Sequence, residues 1–197
     1  MASITVNEKK LMSKIINHGY NHAAKSFSSM TGQKVTIEGS EVELCSKHDY
    51  LKDNLDHLKN ITVLQTDVIG QIQGASYLIF NEQEKITVSE MTSAAFGPNS
   101  KLEDDVILME IDNIISAAVI TELSNSLKLS IYGDVPQLYQ LKDIHDFHKY
   151  INEGNSDYYL LTRTKFIFEN HTSISPIFIW KMDKMLIEFV NATSLKI

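Results

Sequence analysis

The sequence has little cysteine and no long apolar run, and both shortages limit what the protein can be. Its single cysteine, Cys45, cannot form an internal disulfide, which suits a reducing compartment. No uninterrupted apolar stretch is long enough to span a bilayer. The first twenty residues carry Lys9, Lys10 and Lys14 among scattered apolar positions, unlike a secretory signal. We therefore expect a soluble, cytoplasmic protein with no membrane partner.

Basic residues are also scarce. The chain has 18 Lys and Arg against 25 Asp and Glu, a formal net charge of -7, and no basic cluster. A nucleic-acid surface needs clustered positive charge, so nucleic acid is excluded as the expected partner. The chain of 197 residues is 43% hydrophobic, which is enough for one large domain or two small halves with a full core.

One long amphipathic helix is predicted over residues 103–127, with Ser100 as its cap. Apolar residues recur along it at intervals of mostly three and four, and they predict its buried face: Ile107, Ile111, Ile114, Ala118 and Leu123. Glu110 and Asn113 lie one turn apart, outside that apolar line. This pair is the first candidate for chemistry, whereas Asp112 is expected to lie on the solvated face and not to act as a base.

The rest of the chain shows similar periodic patterns. The first helix is predicted to begin at Asn7 as its cap and to end at Gly32. Further helices are predicted at 46–59, 87–95, 142–152 and 183–192, and strands at 35–44, 61–72, 75–80, 127–135, 158–168 and 174–182, with the second and third strands forming a hairpin.

Both halves therefore follow the order helix, strand, helix, strand, strand, helix. Superposing residues 35–37 on 129–131 also brings the alanine pair 23–24 onto 117–118. An internal duplication explains this order. It predicts an α+β (or α/β) fold, a pseudo-symmetric sheet with helices packed on it, in one domain of residues 1–197 whose repeats cover about 7–97 and 98–195.

A histidine pair offers a second candidate site. His18 and His22 have the four-residue helical spacing of a zinc pair, but the H-E-x-x-H arrangement of zinc proteases is absent. A histidine pair without a metal is the favoured interpretation, and a metal-dependent hydrolase is the alternative.

The segment EIDNIISAAVITELSNSLKLSIYGDVP, residues 110–136, resembles the active-site segment of the CheC/CheX/FliY family. These proteins are phosphatases of phosphorylated chemotaxis response regulators. Their motif has an acidic or serine residue, then E-x-x-N, then a distant proline. Glu110, Asn113 and Pro136 have the family's spacing, with twenty-two residues between the asparagine and the proline. The resemblance covers essentially the whole chain, is greatest to CheC, and implies a largely antiparallel central sheet.

The sequence departs from the family pattern in two places. The first motif position is Val106 instead of Asp or Ser, and the neighbouring Asp105 points about a hundred degrees away around a helix. In the first half, the duplication places Ile16 and Gly19 where a second E-x-x-N would stand, so we expect a single active site. Gly19→Ala is then expected to change stability only by helix propensity, about 1 kcal/mol, without reducing phosphatase turnover.

The resemblance implies a mechanism. Asn113 would orient the water that attacks the regulator's phosphoaspartate, and Glu110 would pair with the regulator's lysine. The regulator would supply Mg2+, and this chain would bind neither metal nor cofactor. The alternative is a non-catalytic docking module for a CheY-like response regulator, a CheD-type receptor deamidase or the flagellar switch.

Overall fold

Long helices and antiparallel strands make up the chain in the computed structural model, which describes residues 5–40, 42–46, 58–96, 104–151, 158–182 and 184–194. Within these ranges there are five helices and nine strands. The first half contains α1 (Val6–Thr31), β1 (Val35–Gly39), β2 (Glu43–Ser46), β3 (Lys59–Gly70), β4 (Gly74–Phe80) and α2 (Glu82–Phe96). The second half contains α3 (Asp104–Leu127), β5 (Ile131–Gly133), β6 (Gln137–Asp143), α4 (Ile144–Ile151), β7 (Tyr158–Phe168), β8 (Ser173–Ile174), β9 (Ile177–Met182) and α5 (Lys184–Ser194).

The sheet confirms the predicted pseudo-symmetric, antiparallel architecture. Its main strand order is β1-β7-β9-β4-β3-β5, and every pairing in it is antiparallel. β2 continues the β1 edge along β7, and β6 continues the β5 edge along β3. Strands of the two halves thus stand at matching distances from the central β4–β9 pair. The repeat boundaries near 7–97 and 98–195 stay a prediction.

The two faces of the sheet carry separate cores. On one face, α1 and α3 cover alternate strand residues such as Leu64, Leu78 and Phe178. On the other, α4 packs with Phe147 against Tyr77 at a ring-centroid distance of 5.3 Å. Because helices cover both faces, the central strands are apolar on both sides.

The helix predicted at 103–127 is confirmed as α3, but its buried face is rotated. Ile107, Ile111 and Leu123 are buried as expected. Ile114 and Ala118 are only partly buried, and the core instead takes a further set: Leu108, Ile115, Val119 and Ile120. The predicted cap, Ser100, lies outside the described residues.

The start of α1 differs from the prediction. Thr5 is the cap, not Asn7: its hydroxyl accepts a hydrogen bond from the Glu8 backbone N–H, and the Glu8 carboxylate accepts one from the Thr5 N–H at 2.7 Å. This reciprocal capping box satisfies two backbone donors, which a cap at Asn7 would not do. The predicted end is confirmed, since Gly32 takes the left-handed conformation with φ 65°.

Helices α1 and α3 pack at very close range where Gly19 meets Val119. A Cβ at Gly19 would lie 2.7 Å from the Val119 Cα atom. The absence of a side chain therefore permits the approach of the two helices, and the expectation that Gly19→Ala changes only helix propensity is wrong.

Several predicted boundaries are corrected by pairing across the sheet. The helix at 87–95 begins earlier, as α2, and the strand at 127–135 shortens to β5. β6 was not predicted and takes the first residues of the helix expected at 142–152. The strand at 174–182 divides around Pro176 into β8 and β9. The helix predicted at 46–59 falls mainly on residues 47–57, outside the described residues.

Candidate functional site

Glu110 and Asn113 lie on one wall of an open groove of about 390 Å3. We call it the site groove. The α3 wall contributes Val106, Met109, Glu110 and Asn113, and the opposite wall is the site loop, residues 133–136: Gly133, Asp134, Val135 and Pro136. The distant proline of the motif therefore stands across the groove from the Glu–Asn pair.

Backbone pairing holds the site loop in place. Gly133 is paired with Val68 at the edge of the sheet, and the Asp134 N–H donates to the Asp67 carbonyl at 2.9 Å. The Asp134 carboxylate in turn accepts from the Val135 N–H at 2.8 Å. Pro136 is buried, so the ring anchors the end of the loop.

The Glu110 and Asn113 side chains are both exposed. Within the part of the chain that the structure describes, neither side chain takes part in a hydrogen bond or an ion pair. Val106 and Val135, exposed by 43% and 75%, flank them. The groove thus presents a carboxylate and a carboxamide between apolar neighbours, which suits contact with another molecule.

Asp105 does not join this group. Its carboxylate accepts a hydrogen bond from the Lys85 ammonium of α2 at 2.7 Å, and it does not line the groove. The first motif position is instead filled by the apolar Val106.

Asp112 was expected on the solvated face, and that expectation is wrong. Its side chain is fully buried against β3, where Oδ2 accepts a hydrogen bond from the Thr66 hydroxyl at 2.7 Å. Its Oδ1 has no hydrogen-bond partner among the described residues. Burial raises the Asp112 pKa to about 7, and the Thr66 bond opposes that rise. Helical periodicity alone could not find this, because the turn that points Asp112 inward depends on how α3 rotates on the sheet.

Comparison with known proteins relies on structure alone, since no family model and no curated protein matches the sequence. FliY from Thermotoga maritima superposes with a TM-score of 0.77 at 15% identity, over 99% of both chains. The FliM middle domain from H. pylori gives 0.66 at 10% identity, over 96% of this chain and 99% of that one. CheX from Borrelia burgdorferi, in a complex with CheY, BeF3 and Mg2+, gives 0.51 at 14% identity, over 84% and 96%.

The chain has the CheC/CheX/FliY fold. The resemblance seen in residues 110–136 is thereby confirmed at the level of the fold. At identities this low, the structural likeness shows the fold and not the activity, because one fold serves several functions.

In this CheC-like fold, the first-half counterpart of the site groove carries no matching polar pair. Ile16 is buried in the core, and Gly19 is pressed against Val119. Neither residue has a polar side chain to present, and the single active site stays a prediction.

The histidine pair forms a different cluster on the same two helices. The Nδ1 atoms of His18 and His22 lie 3.0 and 3.1 Å from the two carboxylate oxygens of Glu122 on α3. Over the described residues, no group of three or more His, Cys, Asp or Glu side chains is arranged to hold a metal ion. The cluster joins α1 to α3.

No helix among the described residues is long and apolar enough to cross a membrane.

Proposed function

We propose that this protein hydrolyses the aspartyl phosphate of a CheY-like response regulator, with a single active site in the site groove. One observation carries the proposal: the exposed Glu110 and Asn113 stand together on α3 and face the loop that ends at Pro136. Residues three apart on a helix have neighbouring side chains, so both can enter one narrow site from the same direction.

Hydrolysis of a phosphoaspartate requires few catalytic groups from this chain. A phosphoaspartate is an activated acyl phosphate, and the regulator itself supplies Mg2+ and a lysine against the phosphoryl charge. Asn113 would hold a water in line with the phosphorus through its carboxamide. As the water oxygen bonds to phosphorus, the bond to the aspartate oxygen breaks, releasing inorganic phosphate and the free carboxylate. Glu110 would pair with the regulator's lysine and fix α3 over the phosphate.

The neighbours support a protein partner of this kind. The Borrelia burgdorferi CheX structure is a complex with CheY, BeF3 and Mg2+, and its fold matches 84% of this chain. A CheD-type deamidase as partner stays a prediction.

Removal of the carboxamide tests the proposal. With a phosphorylated regulator and Mg2+, Asn113→Ala should abolish the accelerated loss of phosphate and leave binding to the regulator nearly unchanged, because Asn113 would act on the water alone. Glu110→Ala should weaken both. Asn125→Ala, an exposed asparagine farther along α3, is the matched control and should keep full turnover. An active Asn113→Ala would refute the enzymatic role.

The second candidate function is a docking module without turnover. Val106 favours it, because an exposed apolar residue stands where the family motif has Asp or Ser. A protein of this fold, FliM from H. pylori, has been found in a complex with SpeE, which also supports docking. If the wild type binds phosphorylated regulator and does not accelerate phosphate release, this function replaces the first.

A further inference from the structure

The buried Asp112 lies on the core side of α3, next in the chain to Asn113 of the site groove. It sits between Glu110 and Asn113 on α3, and its carboxylate points away from them into the helix–sheet core. Its hydrogen bond to Thr66 is a direct polar link between this part of α3 and strand β3. Any movement of Asp112 relative to β3 therefore moves Asn113, because the two are adjacent on one helix.

Thr66 also contacts the opposite wall of the groove. A Cβ at Gly133 would lie 3.1 Å from the Thr66 methyl carbon, so the threonine packs beneath the site loop. The next residue, Asp67, accepts the Asp134 N–H through its carbonyl. One short stretch of β3 thus holds α3 through a hydroxyl and the loop through a methyl group and a carbonyl.

We propose that Asp112 is a positioning residue, whose hydrogen bond to Thr66 sets the distance between Asn113 and the site loop. The expected effect of Asp112 on turnover rests on the proposed function. The positioning itself can be measured on this chain without any partner. Asp112 touches no reacting atom, since its side chain faces the core.

The protonation state of Asp112 decides how well this link holds. The protonated carboxyl is neutral and fits its apolar surroundings. The carboxylate would place a charge there with only one oxygen hydrogen-bonded. Since burial raises its pKa to about 7, the two states exchange near neutral pH. Above that pH the ionised group is expected to draw water towards it and to loosen α3 on β3.

No nearby charge compensates the carboxylate, because only burial and the Thr66 bond act on its pKa. The less exposed titratable groups on the elements packed around α3 have other partners: Glu8 with Thr5, Tyr20 with Thr162, Asp67 with Gln65, Glu84 with Asn81 and Ser175, Lys85 with Asp105, and Tyr139 with Gln137. His18 and His22 contact Glu122, and others are exposed, among them Tyr132, Lys142 and Glu188.

A pH titration by NMR, on the full chain alone, tests the link. In the wild type, the side-chain amide signals of Asn113 should shift with a midpoint near pH 7, together with the Asp112 carboxyl carbon. Asp112→Asn stays neutral and should abolish that transition. Thr66→Val removes the hydroxyl and keeps the shape, so it should displace the Asn113 signals already at pH 6.

Thr162→Val is the control, because Thr162 makes the same kind of bond to Tyr20 of α1 at 2.6 Å, away from the groove. It should titrate as the wild type does.

Either of two results would overturn the proposal: Asn113 signals that do not move with Asp112, or an Asn113 transition that survives in Asp112→Asn. Should that variant fail to fold, the displacement in Thr66→Val decides, and Asn113 signals that match the wild type at pH 6 would count against the link.

Turnover gives an independent arm. If the phosphatase function holds, wild-type turnover relative to Asp112→Asn should fall about tenfold from pH 6 to pH 8, since about one tenth of Asp112 stays protonated one pH unit above its pKa. A constant ratio in an active enzyme refutes the link. If the wild type shows no turnover, the proposed function fails and the NMR titration still decides the positioning.

Discussion

Two single residues, Gly19 and Asp112, determine how α3 packs against its neighbours. Gly19 matters for what it lacks, because a side chain there would run into the backbone of Val119. Asp112 matters for where it points, because a carboxyl in a core is costly unless it is neutral or fully hydrogen-bonded. Each is an ordinary helix residue in the sequence and becomes exceptional only in the packed protein.

Gly19→Ala should therefore destabilise the protein. The new methyl group would meet the backbone of Val119 and require α1 and α3 to separate, an overpacking expected to cost up to about 3 kcal/mol against a gain of about 1 kcal/mol from helix propensity. Urea unfolding should show a lower midpoint. Lys25→Ala, at an exposed position of α1, is the control and should change stability by no more than about 0.5 kcal/mol. A variant more stable than the wild type would contradict the close packing.

Among the elements, the two long helices pack into one core and are both bonded to the sheet. α1 has a defined stop at each end, with the capping box at one and Gly32 at the other, and its apolar face is buried along its length. α3 is held along its length, by apolar residues and by the Asp112–Thr66 bond. Both long helices are therefore bonded to the sheet through a buried polar group, α3 by Asp112 and α1 by Tyr20.

The position of the α1 cap can be decided by a pair of substitutions. Thr5→Ala removes the hydroxyl that accepts the Glu8 N–H and should lower the free energy of unfolding by about 1 kcal/mol. Asn7→Ala, at the cap that the sequence predicts, should have little effect because Asn7 is exposed within the helix. Denaturant titration of both variants is the measurement, and a larger loss for Asn7→Ala would favour the sequence-based assignment.

At the scale of the whole molecule, the buried Asp112 links stability to pH. Its pKa rises from 3.8 to about 7 on folding, so the folded state holds a proton that the unfolded chain releases. This group's contribution is fully present below pH 4, is lost as pH rises to 7, and changes no further above it. Over that range the loss is about 4 kcal/mol if the whole rise in pKa is realised.

Asp112→Asn should remove this dependence. Relative to the wild type, its free energy of unfolding should increase steadily between pH 4 and pH 7 and then stay constant. Asp104→Asn, an exposed carboxyl on the same helix, provides the control and should show a small difference across that range. A difference between Asp112→Asn and the wild type that does not vary with pH would mean that the carboxyl reaches water.

Features that depend on neighbours along the chain could be predicted from the sequence. The apolar periodicity predicted α3, the alternating strands predicted the β3–β4 hairpin, and Gly32 marked the end of α1. The spacing of Glu110 and Asn113 already placed them side by side, because helical geometry relates residues three apart regardless of the rest of the fold.

Features that depend on distant parts of the chain are visible only in the folded protein. Pro136 reaches the groove because β5 pairs with β3, and β6 forms only because β3 offers it an edge. Asp112 is buried because α3 turns that side towards Thr66, and Gly19 is required because α1 crosses α3 there. Periodicity along a helix shows that a face exists, but its rotation on the sheet is set by side chains that fill space together, and these come from both halves of the chain.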